Sequence, residues 1–182
     1  DTSAGLGPIL SAMHRRDIDI LIGTQMLAKG HDFPGVTLVG VVLADTGMGL
    51  PDFRAGERTF QLLAQVAGRA GRAGRPGRVL IQTYNPEHPA VMCALTHDYN
   101  RFAEAELGAR EALGYAPSMR VGLLRIDGAD PHQVRAAADL VARRVQSEIG
   151  RNDGQVMTQG PAEAPLSRLK GRTRWQLLVR AP

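Results

Sequence analysis

Three short runs of apolar, often β-branched residues occur in the first half of the chain, a pattern typical of strands buried on both faces. They are Asp19–Thr24, Val36–Leu43 and Arg78–Thr83. Between the second and third runs, Glu57–Ala67 carries its apolar residues at helical spacing. The alternation of such strands with helices predicts an α/β domain with a mostly parallel sheet, whose ligands lie at the carboxyl ends of the strands. Thr24 lies at one such end.

The segment Pro86–Leu113 has a helical pattern and is predicted to contain two helices. Asp98 is the expected N-cap of the second helix, because its side chain can accept from the first free N–H groups. The turn residues Gly114–Pro117 end that helix, and we place a domain boundary there. The predicted division is an α/β part over 1–85, a helical connector over 86–116 and a third part over 117–182.

The third part, residues 117–182, is predicted to be a small α+β domain. Its predicted strands are Met119–Ile126, Gln155–Gln159 and Arg174–Val179. Asp130 and Pro131 fit the N-cap and the first position of the helix that follows the first strand. Three strands and one helix leave one face of the resulting sheet half covered, so this domain is expected to be incomplete.

Composition narrows the class of protein. The 182 residues carry 43% hydrophobic residues and a net charge of +4, which permits a nucleic-acid partner without requiring one. No apolar run approaches the ~18 residues of a membrane span. The single cysteine, Cys93, excludes an internal disulfide or a cysteine-cluster zinc site. The chain opens without Met or a signal peptide and is expected to be part of a longer protein.

The run Gln65–Arg72 holds Arg69 and Arg72, three residues apart behind a glycine. In a helix, this spacing places both guanidinium groups on one face, where they can grip phosphate oxygens together. A charged pair of this kind suits the negative charge that develops on a γ-phosphoryl group during transfer. The alternative is a basic loop after a helix.

A long connection, Gly23–Val36, joins the first two predicted strands and carries polar and small residues, which is typical of a functional loop. Thr24 and Lys29 can bind phosphates, and Gly30 permits a close backbone approach. Asp32 can accept from a ribose hydroxyl or position an arginine. His31 has no second ligand at metal spacing, so a hydrogen bond within the loop is favoured over catalysis.

These motifs resemble those of the PriA family, the primosomal DNA helicases of superfamily 2. The connection between the first two predicted strands corresponds to helicase motif V, and the Gln65–Arg72 run corresponds to motif VI. The string Thr24–Pro34 within the connection is the more specific of the two motifs. The resemblance extends over essentially the whole chain. Its other segments are Asp52–Arg58, Gln82–Pro89, Gly160–Pro165 and Lys170–Leu178.

The resemblance implies roles for individual residues. Arg69 and Arg72 would reach the phosphates of ATP from the distal part of a second RecA-like lobe, with Arg72 as the arginine finger. Gln65 would couple the nucleotide site to lobe closure. The remaining implied contacts are to the nucleotide from Gly30 and Asp32, and to the DNA backbone from Thr24, Gln25 and Lys29.

The same resemblance implies 3′→5′ unwinding of DNA and reloading of the replicative helicase at stalled forks, in the bacterial cytoplasm near the nucleoid. The sequence has no Gly-x-x-x-x-Gly-Lys-Ser/Thr loop and no Asp-Glu-x-His box. ATP and Mg²⁺ are therefore expected to be held mainly by a first lobe outside this chain, and zinc only by an upstream insertion. We expect the chain alone not to hydrolyse ATP.

Arg174 and Trp175 form a candidate partner site, because an aromatic ring beside arginines can stack a base or grip an acidic peptide. In the PriA family this region is associated with the acidic tail of single-strand DNA-binding protein, and primosome loader proteins are further implied partners. The alternative is a Trp that anchors the last strand to the core. Two other functions stay open: an ATPase-deficient PriA-like adaptor, and a helicase of the RecG or RecQ type.

Overall fold

The computed structural model describes residues 3–24, 27, 33, 35–68, 77–150 and 155–182. Contacts divide the chain into two compact units, Asp1–Glu104 and Ala105–Pro182. The division falls within a helix, between the boundaries predicted after residues 85 and 116.

The first unit combines helices with a parallel pair of strands. Its elements are α1 (Ser3–Arg15), β1 (Leu38–Val41), α2 (Asp45–Met48), α3 (Ala55–Ala67), β2 (Arg78–Ile81), α4 (Pro89–Thr96) and the start of α5 (Tyr99–Ala112). The pairing of β1 with β2 runs in register from Leu38↔Arg78 to Val41↔Ile81. The parallel sheet and its following helices confirm the predicted α/β class, and α1 and α2 are elements that the sequence patterns did not indicate.

The prediction of a strand over Asp19–Thr24 is wrong. The segment has no strand pairing, and Ile20 and Ile22 are 77% and 89% exposed. A β-branched run becomes a buried strand only where neighbouring strands and helices cover it, because β-propensity depends on context. Within the part of the chain that the structure describes, β1 and β2 pair only with each other.

The core of the first unit lies between α3, α4 and α5. Phe60 of α3 stacks on Phe102 of α5, with ring centroids 4.2 Å apart and planes 2° from parallel. Leu63 is almost fully buried beside them, and Cys93 is a buried free thiol. The cap predicted at Asp98 is confirmed, because its Oδ1 accepts from the N–H of Arg101 at 3.0 Å.

The second unit is an antiparallel sheet with one covering helix. Its elements after α5 are β3 (Arg120–Gly128), α6 (Pro131–Ile149), β4 (Met157–Leu169) and β5 (Arg172–Ala181). The strand order is β3-β5-β4, so β5 lies in the centre. This is the predicted β-α-β-β arrangement, although β4 is much longer than the Gln155–Gln159 strand expected.

Helix α6 covers one face of this sheet. Asp130 caps it by accepting from the N–H groups of His132 at 2.8 Å and Gln133 at 3.4 Å, as predicted. A side chain at Gly128 would meet Val134, which shows how closely the helix approaches β3. Leu123 lies on the opposite face by strand alternation and is 49% exposed. The prediction of a partly covered sheet is therefore confirmed.

Candidate functional site

Helix α3 positions the first candidate, Gln65. The helix buries Phe60, Leu63 and Val66 against the core, so its opposite side faces solvent. Gln65 is exposed on that side, in the last turn before the C-cap residue Gly68. Gly68 donates its N–H to the carbonyl oxygen of Ala64 at 3.1 Å, which is a regular helical hydrogen bond at the C-terminal end of α3. The carboxamide is therefore free of core packing and able to contact a ligand or another part of the protein.

The start of α3 is fixed by Asp52. Its carboxylate accepts from the N–H of Arg54 at 3.0 Å and pairs with Nη1 of Arg58 at 2.9 Å. The guanidinium of Arg54 lies 5.1 Å from the ring centroid of Phe53. The family-like segment Asp52–Arg58 thus anchors the helix that carries Gln65, and Arg58 pairs with an acid of its own unit.

Several predicted site residues lie outside the described residues. They are Gln25, Lys29, Gly30, Asp32, Arg69 and Arg72, together with the loop histidine His31. Their roles stay predictions.

Thr24 is exposed and lies in a turn, where its carbonyl oxygen accepts from the N–H of Leu27 at 3.0 Å. Its expected place at the carboxyl end of a strand is wrong, because Asp19–Thr24 does not form one. In the described part of the chain no hydrogen bond joins Thr24 to Gln65.

Asp45 holds together the carboxyl edge of the parallel sheet, a feature that motif reasoning missed. One carboxylate oxygen accepts from Oγ1 of Thr83 at 2.9 Å, and the other accepts from the N–H of Tyr84 at 3.0 Å. Desolvation raises the pKa of Asp45, but these hydrogen bonds outweigh it and the net pKa lies below the ordinary value. The signal in the sequence was an aspartate shortly after the apolar run Val36–Leu43, at the edge where α/β proteins bind ligands.

The structure places Arg174 and Trp175 on opposite faces of the second sheet, as expected for consecutive strand residues. Trp175 is half-buried and pairs with Ile126 of β3 and Glu163 of β4. The guanidinium carbon of Arg135 in α6 lies 5.5 Å from the ring centroid of Trp175. Trp175 therefore packs on the helix side of the sheet, and Arg174 belongs to the other surface.

Arg174 lies beside an arginine cluster around one carboxylate. Arg172 donates through Nε to Asp127 Oδ2, and through Nη2 to the Asp127 carbonyl oxygen at 3.0 Å. The hydrogen bond and charge of Arg172, aided by Arg174 and Arg125, hold the pKa of Asp127 below its ordinary value. One acid among three arginines leaves this surface with an excess of positive charge, which suits an anionic partner.

Neither a metal cluster nor a membrane-spanning helix occurs in the residues that the structure describes. No three His, Cys, Asp or Glu side chains converge there as a metal site. No helix there is both long and apolar enough to cross a bilayer.

Two family models match the chain. The helicase conserved C-terminal domain matches residues 8–74, which include every predicted nucleotide and DNA contact. The primosomal protein N C-terminal domain matches residues 111–182, which include the whole antiparallel sheet.

Curated relatives match nearly the whole chain. The replication restart protein PriA of Bacillus subtilis is 42% identical over 172 residues, which is 94% of this chain and 21% of that protein. The protein of the same name from Synechocystis is 43% identical over 96% of this chain and 21% of its own length. That of Treponema pallidum is 43% identical over 91% of this chain and 25% of its own length. The chain thus spans about a fifth to a quarter of the length of these relatives.

Proposed function

The chain belongs to the PriA family of replication restart proteins, and we propose that it supplies the distal half of the nucleotide site in an ATP-dependent DNA helicase. The observation that carries the proposal is the placement of Gln65. Gln65 is exposed in the last turn of α3, four residues before Arg69 and seven before Arg72.

In this mechanism Arg72 stabilises the charge that develops on the γ-phosphoryl group, and Arg69 binds the neighbouring phosphate oxygens. Gln65 links the site to closure of the two lobes, while Gly30 and Asp32 contact the nucleotide. When bound, ATP and its Mg²⁺ supply the transferred phosphoryl group and the charge that neutralises it. We assign the Mg²⁺ ligands to a first lobe outside this chain, because the sequence has no Gly-x-x-x-x-Gly-Lys-Ser/Thr loop and no Asp-Glu-x-His box.

The proposed substrate is forked or single-stranded DNA, unwound 3′→5′ so that a primosome can assemble and reload the replicative helicase. Thr24, Gln25 and Lys29 would contact the DNA backbone, where contacts position the strand without reading its sequence. The setting would be the bacterial cytoplasm near the nucleoid. A phosphate-binding loop and paired Cys-x-x-Cys elements upstream would distinguish this function from a RecG-type or RecQ-type helicase and from an adaptor without ATPase motifs.

The test is DNA-stimulated ATP hydrolysis by the full-length protein. Arg72→Ala is expected to lower turnover by roughly 10³–10⁵-fold, the usual effect of losing an arginine finger. Arg143→Ala is the matched control, because Arg143 is exposed on α6 in the second unit. Unchanged turnover in Arg72→Ala would refute the assignment. Hydrolysis by the 182-residue chain alone, abolished by Arg72→Ala, would refute the proposal that the site is shared.

A partner site on the second unit is supported by the excess positive charge around Arg174. We assign this surface to the acidic tail of single-strand DNA-binding protein. Because Trp175 lies on the opposite face of the sheet, it would contact the same peptide where the peptide passes around the sheet edge. Arg174→Glu should weaken binding of the tail peptide in a fluorescence titration, and Arg143→Glu should not. Equal affinity of Arg174→Glu and the unsubstituted protein would remove Arg174 from the site.

A further inference from the structure

The tyrosine that follows β2 has an exposed ring on a fixed backbone. Tyr84 is 86% exposed, yet its N–H donates to Asp45 at 3.0 Å. The flanking residues are held as well, because Asn85 donates its N–H to Oγ1 of Thr83 at 3.0 Å and that hydroxyl donates to Asp45. The segment thus presents a large aromatic surface from a backbone that is already ordered, which lowers the entropic cost of using it.

The anchor of this segment is a persistent charge. The Asp45 carboxylate is ionised at neutral pH, as an aspartate ordinarily is, and it accepts from the N–H of Tyr84 and the hydroxyl of Thr83. Charge-assisted hydrogen bonds are about twice as strong as neutral ones. The position of the Tyr84 backbone is therefore maintained under the conditions in which the protein acts.

Tyr84 is accompanied by other exposed apolar side chains at the same edge of the sheet. The segment that leaves β1 remains bonded to the one that leaves β2, since Ala44 donates its N–H to the Gln82 carbonyl oxygen at 3.0 Å. Between the end of β1 at Val41 and Ala44, the side chains of Val42 and Leu43 are 80% and 44% exposed. We call Val42, Leu43 and Tyr84 the edge platform. It lies at the carboxyl ends of parallel strands, where ligands of α/β domains bind.

The chemistry of the edge platform suits a nucleic-acid base. Every base has a π face that can stack on an aromatic ring, so this contact holds a strand without selecting its sequence. A helicase that moves along DNA needs contacts of that kind. The contacts predicted at Thr24, Gln25 and Lys29 are to the DNA backbone and leave the bases without a contact.

We infer that Tyr84 stacks on an unpaired base of single-stranded DNA, with Asp45 as its positioning residue. This inference rests on the proposed function, because it assigns one contact of the same DNA path. It adds a base-stacking residue outside the motifs that suggested the nucleotide and backbone contacts.

The experiment measures binding of a fluorescent oligothymidylate to the full-length protein across a salt series. Tyr84→Ala should weaken binding by roughly 5- to 150-fold, the range for loss of one base stack. Tyr84→Phe and Tyr84→Trp should bind like the unsubstituted protein, since each keeps an aromatic face. Tyr99→Ala is the matched control for loss of an exposed ring, because Tyr99 is 65% exposed and lies on α5.

Two further readouts separate stacking from other causes. The slope of affinity against salt should be the same for Tyr84→Ala and the unsubstituted protein, because a tyrosine releases no counterions. On an oligonucleotide of abasic sites the two proteins should bind equally. Asp45→Ala should weaken binding less than Tyr84→Ala, and the double variant should bind no worse than Tyr84→Ala alone.

The inference is overturned if Tyr84→Ala binds oligothymidylate as tightly as the unsubstituted protein, which would assign the edge platform to a protein surface. It is also overturned if the loss persists on abasic DNA, or if Tyr84→Phe is as weak as Tyr84→Ala. These outcomes differ from failure of the proposed function. In that case the unsubstituted protein itself would show no DNA-stimulated ATP hydrolysis.

Discussion

In the first unit, β1 pairs with β2 across a crossover that includes α3, and Leu38 aligns with Arg78. In the second, β4 and β5 are joined by only Lys170 and Gly171, both at positive φ as a tight hairpin turn requires. The parallel pair must close a long loop before any strand contact forms, whereas the hairpin closes at almost no entropic cost. The strand pairing of the first unit therefore joins distant parts of the chain, whereas the pairing of β4 with β5 in the second unit joins neighbouring segments.

The largest expected effects test whether the two cores are independent. Leu63→Ala in the first unit and Leu177→Ala in the second each remove a side chain that is at most 1% exposed. Each should lower the free energy of unfolding of its own unit by about 2–5 kcal/mol. Hydrogen-exchange mass spectrometry on the full-length protein reads the two units separately. Equal loss of protection in both units from either substitution would contradict the division at Glu104.

A second substitution tests the β4–β5 pairing. Gly160 has φ +107°, and a side chain there would lie 2.9 Å from the Gln176 carbonyl oxygen of β5. Gly160→Ala should destabilise the second unit by about 1–3 kcal/mol, from both backbone strain and this contact. Gly171→Ala is the control for φ alone, because a side chain at Gly171 meets open space at φ +77°. If Gly171→Ala lowers exchange protection as much as Gly160→Ala, the close approach to β5 is unimportant.

Helix caps should have the same effect in both units, because they are local. Asp98 caps α5 through Arg101, and Asp130 caps α6 through His132 and Gln133. Substitution of either aspartate by Ala should cost about 1 kcal/mol, while Asn should retain most of the cap. Thermal unfolding followed by circular dichroism measures both. A cost confined to one unit would show that caps also depend on the surrounding fold.

The smallest effect is the response to acid. The folded-state pKa of Asp45 in the first unit and of Asp127 in the second lies below the ordinary value of 3.8. Each carboxylate therefore adds stability above its unfolded pKa, and this stability is lost as pH falls through the lower folded pKa. Asp127→Asn should reduce the acid sensitivity of the second unit alone. NMR titration of the carboxyl groups checks the sign, since a midpoint above 3.8 at either residue would contradict it.

The same contrast explains how far the sequence predicted this molecule. The caps at Asp98 and Asp130 and the β-α-β-β order were predictable, because each rests on residues close together along the chain. The strand over Asp19–Thr24 was not, since its burial requires neighbours that its own residues cannot specify. The exposed position of Gln65 agrees with the helical spacing of apolar residues in Glu57–Ala67. The hydrogen bonds of Asp45 with Thr83 and Tyr84 could not be predicted from the sequence, because they join residues nearly forty positions apart.

The central place of β5 has a consequence for synthesis. Because β3 pairs with β5 and not with β4, it leaves the ribosome before its partner strand is made. Helix α6 follows β3 along the chain and can cover its apolar residues, but the backbone groups of β3 stay unpaired until β5 emerges. Such edges are open to pairing with other chains. A translational pause just before Arg172 would prolong the exposure of β3, so rapid translation through β5 should favour recovery of soluble protein.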